Sequence, residues 1–396
     1  MPDAFRDGAR PSRWVSVGQS ADPDARAAGT AAADLALARE DAKLLVVFCS
    51  DAYDLEALLG AINERSGGVP LIGCSTAGEI ATAGPGDSGV VVTALGGEGF
   101  AASTAAAAGA SLRLREAGAE VAGAVCELDG HPHHVMMLLT DGLAGDQQEI
   151  VRGAYGVLGA SVPLVGGCAG DDLKMKATYQ LHGTEVLRDA VVGAAIASDG
   201  PMGIGVRHGW SRVGEPMVVT RSANNRVYLL DSQPALDVYL DRLSAPAEAR
   251  EDPAAFTRFA LTHPLGLSRR SGEDQVRFVG EAGFEDRSLG CIAEVPQGGL
   301  AWFMEGDDAS VLTATDGACA DALKSLGGEP PLGMLAFDCI ARRGVLGDEG
   351  IRNEVDRVAG SAPGAPVAGF YTYGEIARTH GVSGFHNQTL VVLALG

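Results

Sequence analysis

The stretch Val69-Pro70-Leu71-Ile72-Gly73-Cys74-Ser75-Thr76-Ala77-Gly78-Glu79 sets the reading of the whole chain: a proline-led apolar strand runs into glycine, then a small polar turn, then an acid. It recurs as Val162-Pro163-Leu164-Val165-Gly166-Gly167-Cys168-Ala169-Gly170-Asp171 and as Ala365-Pro366-Val367-Ala368-Gly369-Phe370-Tyr371-Thr372-Tyr373-Gly374-Glu375, with a weaker fourth copy at His263-Pro264-Leu265-Gly266-Leu267. Pro70, Pro163, Pro264 and Pro366 fall 93, 101 and 102 residues apart. Solenoid repeats recur every ~20–50 residues, so this spacing suits a small α/β unit used four times. Four related units can set four similar turns around a shared centre, and a ligand is expected there.

Working outward, each unit follows one plan. Lys43 to Cys49 is a continuous apolar run, the pattern of a strand buried on both faces. Leu55, Leu58, Leu59 and Ile62 have helical spacing, and Gly67-Gly68 stops that helix. The second unit has a strand over 135–139, a helix over 147–158, a strand over 163–165 and two more strands over 177–182 and 190–197. The last unit has strands over 333–337, 366–370 and 388–395 and a helix over 350–358. The unit around His263 is degenerate, with a strand over 226–230, a helix over 234–243 and an insert. Ser222-Ala223-Asn224-Asn225 is a turn, so the expected division is a loose tail over 1–12, one half over 13–221 and a second over 222–396. The fold class is α/β: two related halves, each of two β-α-β-β units forming mixed sheets flanked by helices.

The 396 residues are 46% hydrophobic and carry a net charge of −21. That charge argues against nucleic acid, which needs a basic footprint, and against anionic membranes. No apolar run reaches the ~18–20 residues of a membrane span. Met1 to Ser12 is polar and lacks the apolar core of an export signal. Seven cysteines cannot all pair, and they sit in apolar strands or beside glycine, as reduced thiols of a cytoplasmic protein do. Their spacing suggests no zinc site.

Glycine-rich turns beyond strand ends can bring backbone N–H groups close to a ligand. The turn at Gly73 lacks the Gly-Lys-Ser/Thr ending of a phosphate loop. Acids close three turns (Glu79, Asp171, Glu375), and Ser50, Asp141 and Asp338 end the preceding strands. They read either as caps and turn hydrogen bonds or as a polar rim gripping an ammonium group. Tyr371, Thr372 and Tyr373 crowd one turn of an aromatic-poor chain, and His386, Asn387, Gln388 and Thr389 follow. Arg207-His208-Gly209-Trp210 suits a carboxylate or a flat ring, while His131-Pro132-His133-His134 reads as a solvated turn. Catalytic motifs are absent; Cys74 and Cys168 follow glycines at strand ends, leaving a cysteine-dependent hydrolase or transferase as an alternative, without an evident activating histidine.

The segments Leu71–Ile80 and Val165–Asp172 resemble the amino-terminal part of the FIST sensory domain family. Leu230–Tyr239, Gly369–Ile376 and His386–Thr389 resemble its carboxy-terminal part. The resemblance implies a bacterial signalling sensor for small ligands such as amino acids. Some members of the family carry haem b and report nitric oxide to a histidine kinase or cyclic-di-GMP enzyme. A separate partner protein is therefore expected. A haem would need an axial ligand, with His208, His263 and His386 as candidates; covalent haem lacks its Cys-x-x-Cys-His motif. The combined expectation is a non-enzymatic sensor. Its small polar ligand touches Thr372, Tyr373, Glu375, His386 and Asn387 from the second half and Arg207, Asp141 and Asp171 from the first. The signal is passed by closing one half on the other.

Overall fold

The apolar run after Lys43 is a strand, and the elements around it recur. The computed structural model describes residues 12–124, 130–268, 274–378 and 384–396. A first unit runs β1 (Trp14–Ser20), α1 (Ala25–Ala36), β2 (Ala42–Cys49), α2 (Leu55–Ser66), β3 (Leu71–Ser75), a hairpin of β4 (Glu79–Ala81) and β5 (Gly84–Gly86), and β6 (Val90–Gly96). The second repeats it as β7 (Phe100–Ala108), α3 (Leu114–Ala122), β8 (His133–Thr140), α4 (Gln147–Leu158), β9 (Leu164–Cys168), hairpin strands β10 (Gln180–His182) and β11 (Glu185–Leu187), and β12 (Ala190–Ser198). A third opens with β13 (Met202–Arg207) and is then interrupted. The interruption comprises β14 (Ser211–Ala223), β15 (Arg226–Leu230), β16 (Gln233–Pro234), α5 (Ala235–Arg242), α6 (Pro253–Ala260), β17 (Leu265–Leu267), β18 (Gln275–Arg277), β19 (Val279–Gly283), β20 (Ser288–Cys291) and β21 (Leu300–Glu305). The unit resumes with α7 (Asp308–Lys324), β22 (Gly333–Cys339), α8 (Ile340–Ser361), β23 (Val367–Thr372), hairpin strands β24 (Glu375–Arg378) and β25 (Phe385–His386), and β26 (Leu390–Leu395).

The three units build three sheets of identical order, β1-β6-β2-β3, β7-β12-β8-β9 and β13-β26-β22-β23. In each, only the pair joined through a helix is parallel: β2 with β3, β8 with β9, β22 with β23. A parallel pair requires such a crossover. The hairpin that follows never joins its own sheet. β4–β5 completes the third unit's sheet on β23, β24–β25 completes the second unit's on β9, and β10–β11 completes the first unit's on β3. The exchange closes a cycle.

Strand alternation explains the layers. Leu44, Val46 and Phe48 of β2 face a core shared by all three sheets, whereas Leu45, Val47 and Cys49 face α1 and α2. At the shared core Phe48 lies 4.6 Å from Phe370, centroid to centroid, and both meet the Phe337 ring edge-on. Helices pair closely where glycine permits: a Cβ on Gly153 would fall 1.8 Å from the Arg115 carbonyl oxygen, and one on Gly118 2.1 Å from that of Ile150. Gly347, at φ 62° and ψ −176°, breaks α8 and turns its second segment.

The mixed α/β class, with helices flanking mixed sheets, holds. The fourth repeat at His263-Pro264 does not. β17 pairs antiparallel with β18 and β21 and is separated from β15 by β21 and β14, in the sheet order β18-β17-β21-β14-β15-β20-β19 with β16 on β15. Residues 211–305 are thus an antiparallel insert between the first strand and first helix of the third unit. The division at 221 and 222 passes through β14. The tail expected over 1–12 lies outside the described residues except for Ser12, whose carbonyl accepts from Gly99 N at 3.1 Å.

The insert leaves and re-enters the core through neighbouring backbone, with Ser211 paired to Glu305. A chain in which a two-residue turn replaces 211–305 is expected to keep one cooperative thermal transition by near-ultraviolet circular dichroism. A chain ending at Gln233, which leaves β4–β5 unpaired and β9 without β24–β25, is expected to show none. A cooperative transition in the latter would refute the interlocked reading.

Candidate functional site

The repeated turns are the points where the chain crosses from one sheet to the next. Thr76 Oγ1 donates to Glu79 Oε1 at 2.6 Å and accepts from Gly78 N, and Glu79 Oε2 accepts from Gly89 N at 2.9 Å. Thr372 and Glu375 repeat this: Thr372 Oγ1 donates at 2.6 Å, and Glu375 Oε2 accepts from Thr389 N at 3.1 Å and Thr389 Oγ1 at 2.7 Å. In the second unit Ala169 takes the threonine's place, since Cys168 is level with Ser75 and Tyr371. Asp171 there accepts from the N–H groups of Met175, Lys176 and Ala177 and from the Tyr373 hydroxyl. Burial pushes Glu79 and Glu375 up to about 7, against the lowering effect of these hydrogen bonds.

The turns converge, as expected, but on one another. Ala77 N donates to Tyr371 O, Tyr371 N to Gly78 O, Gly170 N to Ser75 O and Cys168 N to Gly374 O, all within 3.0 Å. Ser75 Oγ donates to Gly170 O at 2.7 Å. The shared centre is therefore filled by backbone, and the cavity expected there is displaced outward.

That displaced cavity is a cleft of about 680 Å³ beyond the carboxyl end of β8, where α/β sheets commonly hold ligands. Its core wall is the 142–147 loop, Glu149 and Arg152 of α4, Met175, Tyr373 and Phe385; its opposite wall is Asn224, Asn225 and 292–294 of the insert. Tyr373 packs on Gly142, where a Cβ would lie 3.0 Å from the ring, and its hydroxyl accepts from Leu173 N at 2.7 Å. Asp146 caps α4 through Gln148 N, and burial raises its pKa. Arg152 donates to Glu149 at 2.5 Å and to Glu294 across the cleft at 3.3 Å. The Arg152 hydrogen bond holds Glu149 below its ordinary value. Asn225 is fixed by its amide donating to Cys291 O at 2.7 Å. Glu149 is also bound by Arg115 at 2.8 Å, so two guanidinium groups are committed to Glu149 and Glu294, and Asp146 beside the aromatic wall is left for a cationic or zwitterionic guest.

Of the ligand contacts expected from sequence, Tyr373 lines the cleft. Asp171 stands behind it, and Asp141 is engaged by Leu143 N, Thr178 Oγ1 and Asp189 N. Thr372 and Glu375 belong to the buried crossing. His386 pairs with Glu375 across β24–β25, and its Nε2 lies 3.0 Å from Ala377 O. Asn387 is 1% exposed, and neither of its amide atoms has a hydrogen-bond partner among the described residues. Arg207 lies away from the cleft, 2.6 Å from Asp321 of α7. His208 accepts from Trp210 N at 2.9 Å, and burial lowers its pKa to about 4. His263 stacks on Phe259 in the insert with Nδ1 2.8 Å from the Phe259 carbonyl. The three haem candidates lie outside the described lining of this cleft, on segments joined to one another: Trp210 Nε1 donates to Gln388 O at 2.9 Å, and Gln388 Nε2 donates to Leu261 O at 2.7 Å. Cys74 and Cys168 are buried, and burial drives both thiols far up.

Sequence reasoning missed Asp146, Glu149, Arg152, Asn225 and Glu294. The signal for the first three was the Gly142-Leu143-Ala144-Gly145 loop at a strand's carboxyl end; nothing local marks Glu294, which the insert brings in. Asp338, singled out as a strand end, is buried with Arg342, whose Nε donates to it at 2.7 Å and which also contacts Glu354. Burial raises Asp338 well above its ordinary value.

Two family models match the chain, described as FIST N domain over residues 43–233 and FIST C domain over 235–378. Their junction falls inside the insert, at β16. An uncharacterized protein of Methanocaldococcus jannaschii is 26% identical over 191 residues, 46% of this chain and 36% of that protein. The chain thus spans about a third of the length of this curated relative.

Glu79 and Glu375 bind protons more readily folded than unfolded. The folded chain therefore holds extra protons between about 4.5 and 7, and stability falls as pH rises through that window. Each carboxyl contributes at most about 1.4 kcal/mol to that decline for every pH step of one crossed. The double variant Glu79→Gln, Glu375→Gln is expected to flatten it in urea titrations at pH 5, 6, 7 and 8; an unchanged slope would contradict these protonation states.

Proposed function

The chain belongs to the FIST family, a family of sensory and signalling domain proteins, and from that premise we propose that its acid-lined cleft receives a small cationic or zwitterionic ligand, of amino-acid or amine type, and passes the event to a separate partner protein. The observation that carries this reading is the cleft itself: carboxylates of Asp146, Glu149 and Glu294 around the Tyr373 and Phe385 wall, with Arg152 already paired. An ammonium group would meet Asp146 or Glu294, and Asn225 offers a neutral amide for the remainder. The burial of Cys74 and Cys168 supports binding over thiol catalysis, since the thiolate is the nucleophile.

The insert supplies one wall, and the core the other. Shared strands hold the two family-defined halves together, so closure of half on half is replaced by adjustment of the insert about its two connections. At those connections Gly209 has φ 84°, and Trp210 packs on Gly306.

A melting screen of the full chain with amines, amino acids and dicarboxylates tests this. Amines or amino acids are expected to raise the melting temperature by a few degrees at about one hundred times Kd. Glu294→Gln and Asn225→Ala are each expected to weaken binding about tenfold, the scale of one lost charge-assisted or neutral hydrogen bond. Stabilisation by dicarboxylates alone, indifference of both variants, or a Soret band after haem reconstitution that one histidine variant abolishes would overturn the reading.

A further inference from the structure

Nine large apolar side chains are exposed among the described residues; three of them (Leu143, Met175, Ile292) line the cleft, and a fourth, Leu173, lies two residues before Met175 on the same loop. Single exposed leucines are ordinary, whereas a gathered set rimmed by charge marks an interaction site. Leu173 and Met175 are 62% and 59% exposed. They are held outward by backbone that such residues rarely adopt: Asp172, Leu173 and Met175 have φ of 53°, 59° and 52°. The loop is pinned there. The Asp171 carboxylate accepts from Met175, Lys176 and Ala177 N–H at 2.7–3.0 Å, and the Tyr373 hydroxyl accepts from Leu173 N. Lys174 is drawn aside to both oxygens of Asp51 at 2.8 Å. Strained backbone persists only where its surroundings over-determine it, and such places cluster at functional sites.

Charge identifies the occupant. Asp146, Glu149 and Glu294 line the cleft with Arg152, which binds Glu149 and Glu294, while Arg115 binds Glu149 as well; Asp172 and Lys176 are exposed on the adjoining 171–177 loop. The chain as a whole carries −21. We propose that the 171–177 loop, with Leu143 and Ile292, is the docking edge for a basic, apolar-faced segment of a partner protein, whose large side chains cover the rim while its lysines or arginines face the acidic mouth. Thioether and leucine side chains adapt to such a face, and the acidic mouth sets orientation and association rate. The proposal uses the mouth of the cleft and does not require a small ligand within it.

Three 18-residue peptides test it by fluorescence anisotropy with the full chain. One has a lysine/arginine face opposite a leucine/phenylalanine face; the second replaces the basic residues with glutamate; the third replaces the apolar ones with serine. Only the first is expected to bind below 100 µM, more weakly at 300 mM than at 50 mM salt. The double variant Leu173→Ser, Met175→Ser is expected to weaken it at least tenfold, Ile292→Ser less so, and Leu35→Ser on α1 not at all. All four positions are exposed, and thermal melts confirm folding. Equal binding of the glutamate peptide, no binding of the basic amphipathic peptide at 1 mM, or equal loss with Leu35→Ser would overturn the proposal. Loss of amine stabilisation with peptide binding intact would overturn the ligand reading alone.

Discussion

Every sheet of the core lacks its own edge hairpin and is completed by one from another unit. This closed exchange is the constraint from which the rest follows. The hairpin β4–β5 cannot pair until the third unit has formed β23, and β24–β25 cannot pair until the second has formed β9. The exchange also leaves the two- or three-residue strands β11, β25 and β5, instead of β3, β9 and β23, at one edge of each sheet, and such short edge strands discourage pairing with other chains. The exchange ties sequence positions about 290 residues apart, such as Glu79 and Phe370, so long-range order is acquired together rather than unit by unit.

The exchange also explains why the repeated motif looks as it does. At each crossing the chain turns sharply out of one sheet, and the acid that ends the motif binds both the turn and, in the first and third units, the strand returning after the hairpin, through Gly89 and Thr389. A buried carboxylate is costly unless hydrogen-bonded, and here it is satisfied from both sides. The motif is a structural staple first. Its chemistry is spent on holding three units together, and the binding surface is left to the loops around it.

Much of this was legible. Three copies of the proline-led strand, the two-face burial of β2 and the α4 span of Gln147–Leu158 follow directly from pattern. Alanine hid the remainder. α1 and α3 are rich in Ala and Gly, and their faces pack by close approach rather than by a stripe of large residues, as Gly118 against Ile150 shows, so their buried faces are written in small side chains that mark a helix less visibly than leucines do. The hairpin exchange has no local signature, because the strand that receives each hairpin belongs to another unit, as β3 receives β10. His263-Pro264-Leu265 mimicked the repeat by composition, while its partners are decided by an insert whose boundaries no proline or glycine run announces. For the site, Tyr373 was visible as a rare aromatic, but the acids of α4 matter only because the insert faces them.

The energetics limit what a ligand in that cleft can do. Val276 and Met304 of the insert are buried in a cluster with core residues such as Phe385 and Ile376, and large apolar side chains buried in this way contribute about 1.5–3 kcal/mol each. The Arg152–Glu294 pair is partly exposed and adds on the order of 0–1 kcal/mol. Coupling free energies between sites are typically about 1–3 kcal/mol. A ligand acting on that scale cannot detach an insert held by several such contacts, but it can reorganise the exposed ion pair and the side chains around it. On the proposed reading, the change offered to a partner lies at the mouth of the cleft, where Glu294 and Ile292 of the insert lie beside Met175 of the 171–177 loop, and the response is set by how differently that surface fits its partner with Arg152 bound to Glu294 or released from it.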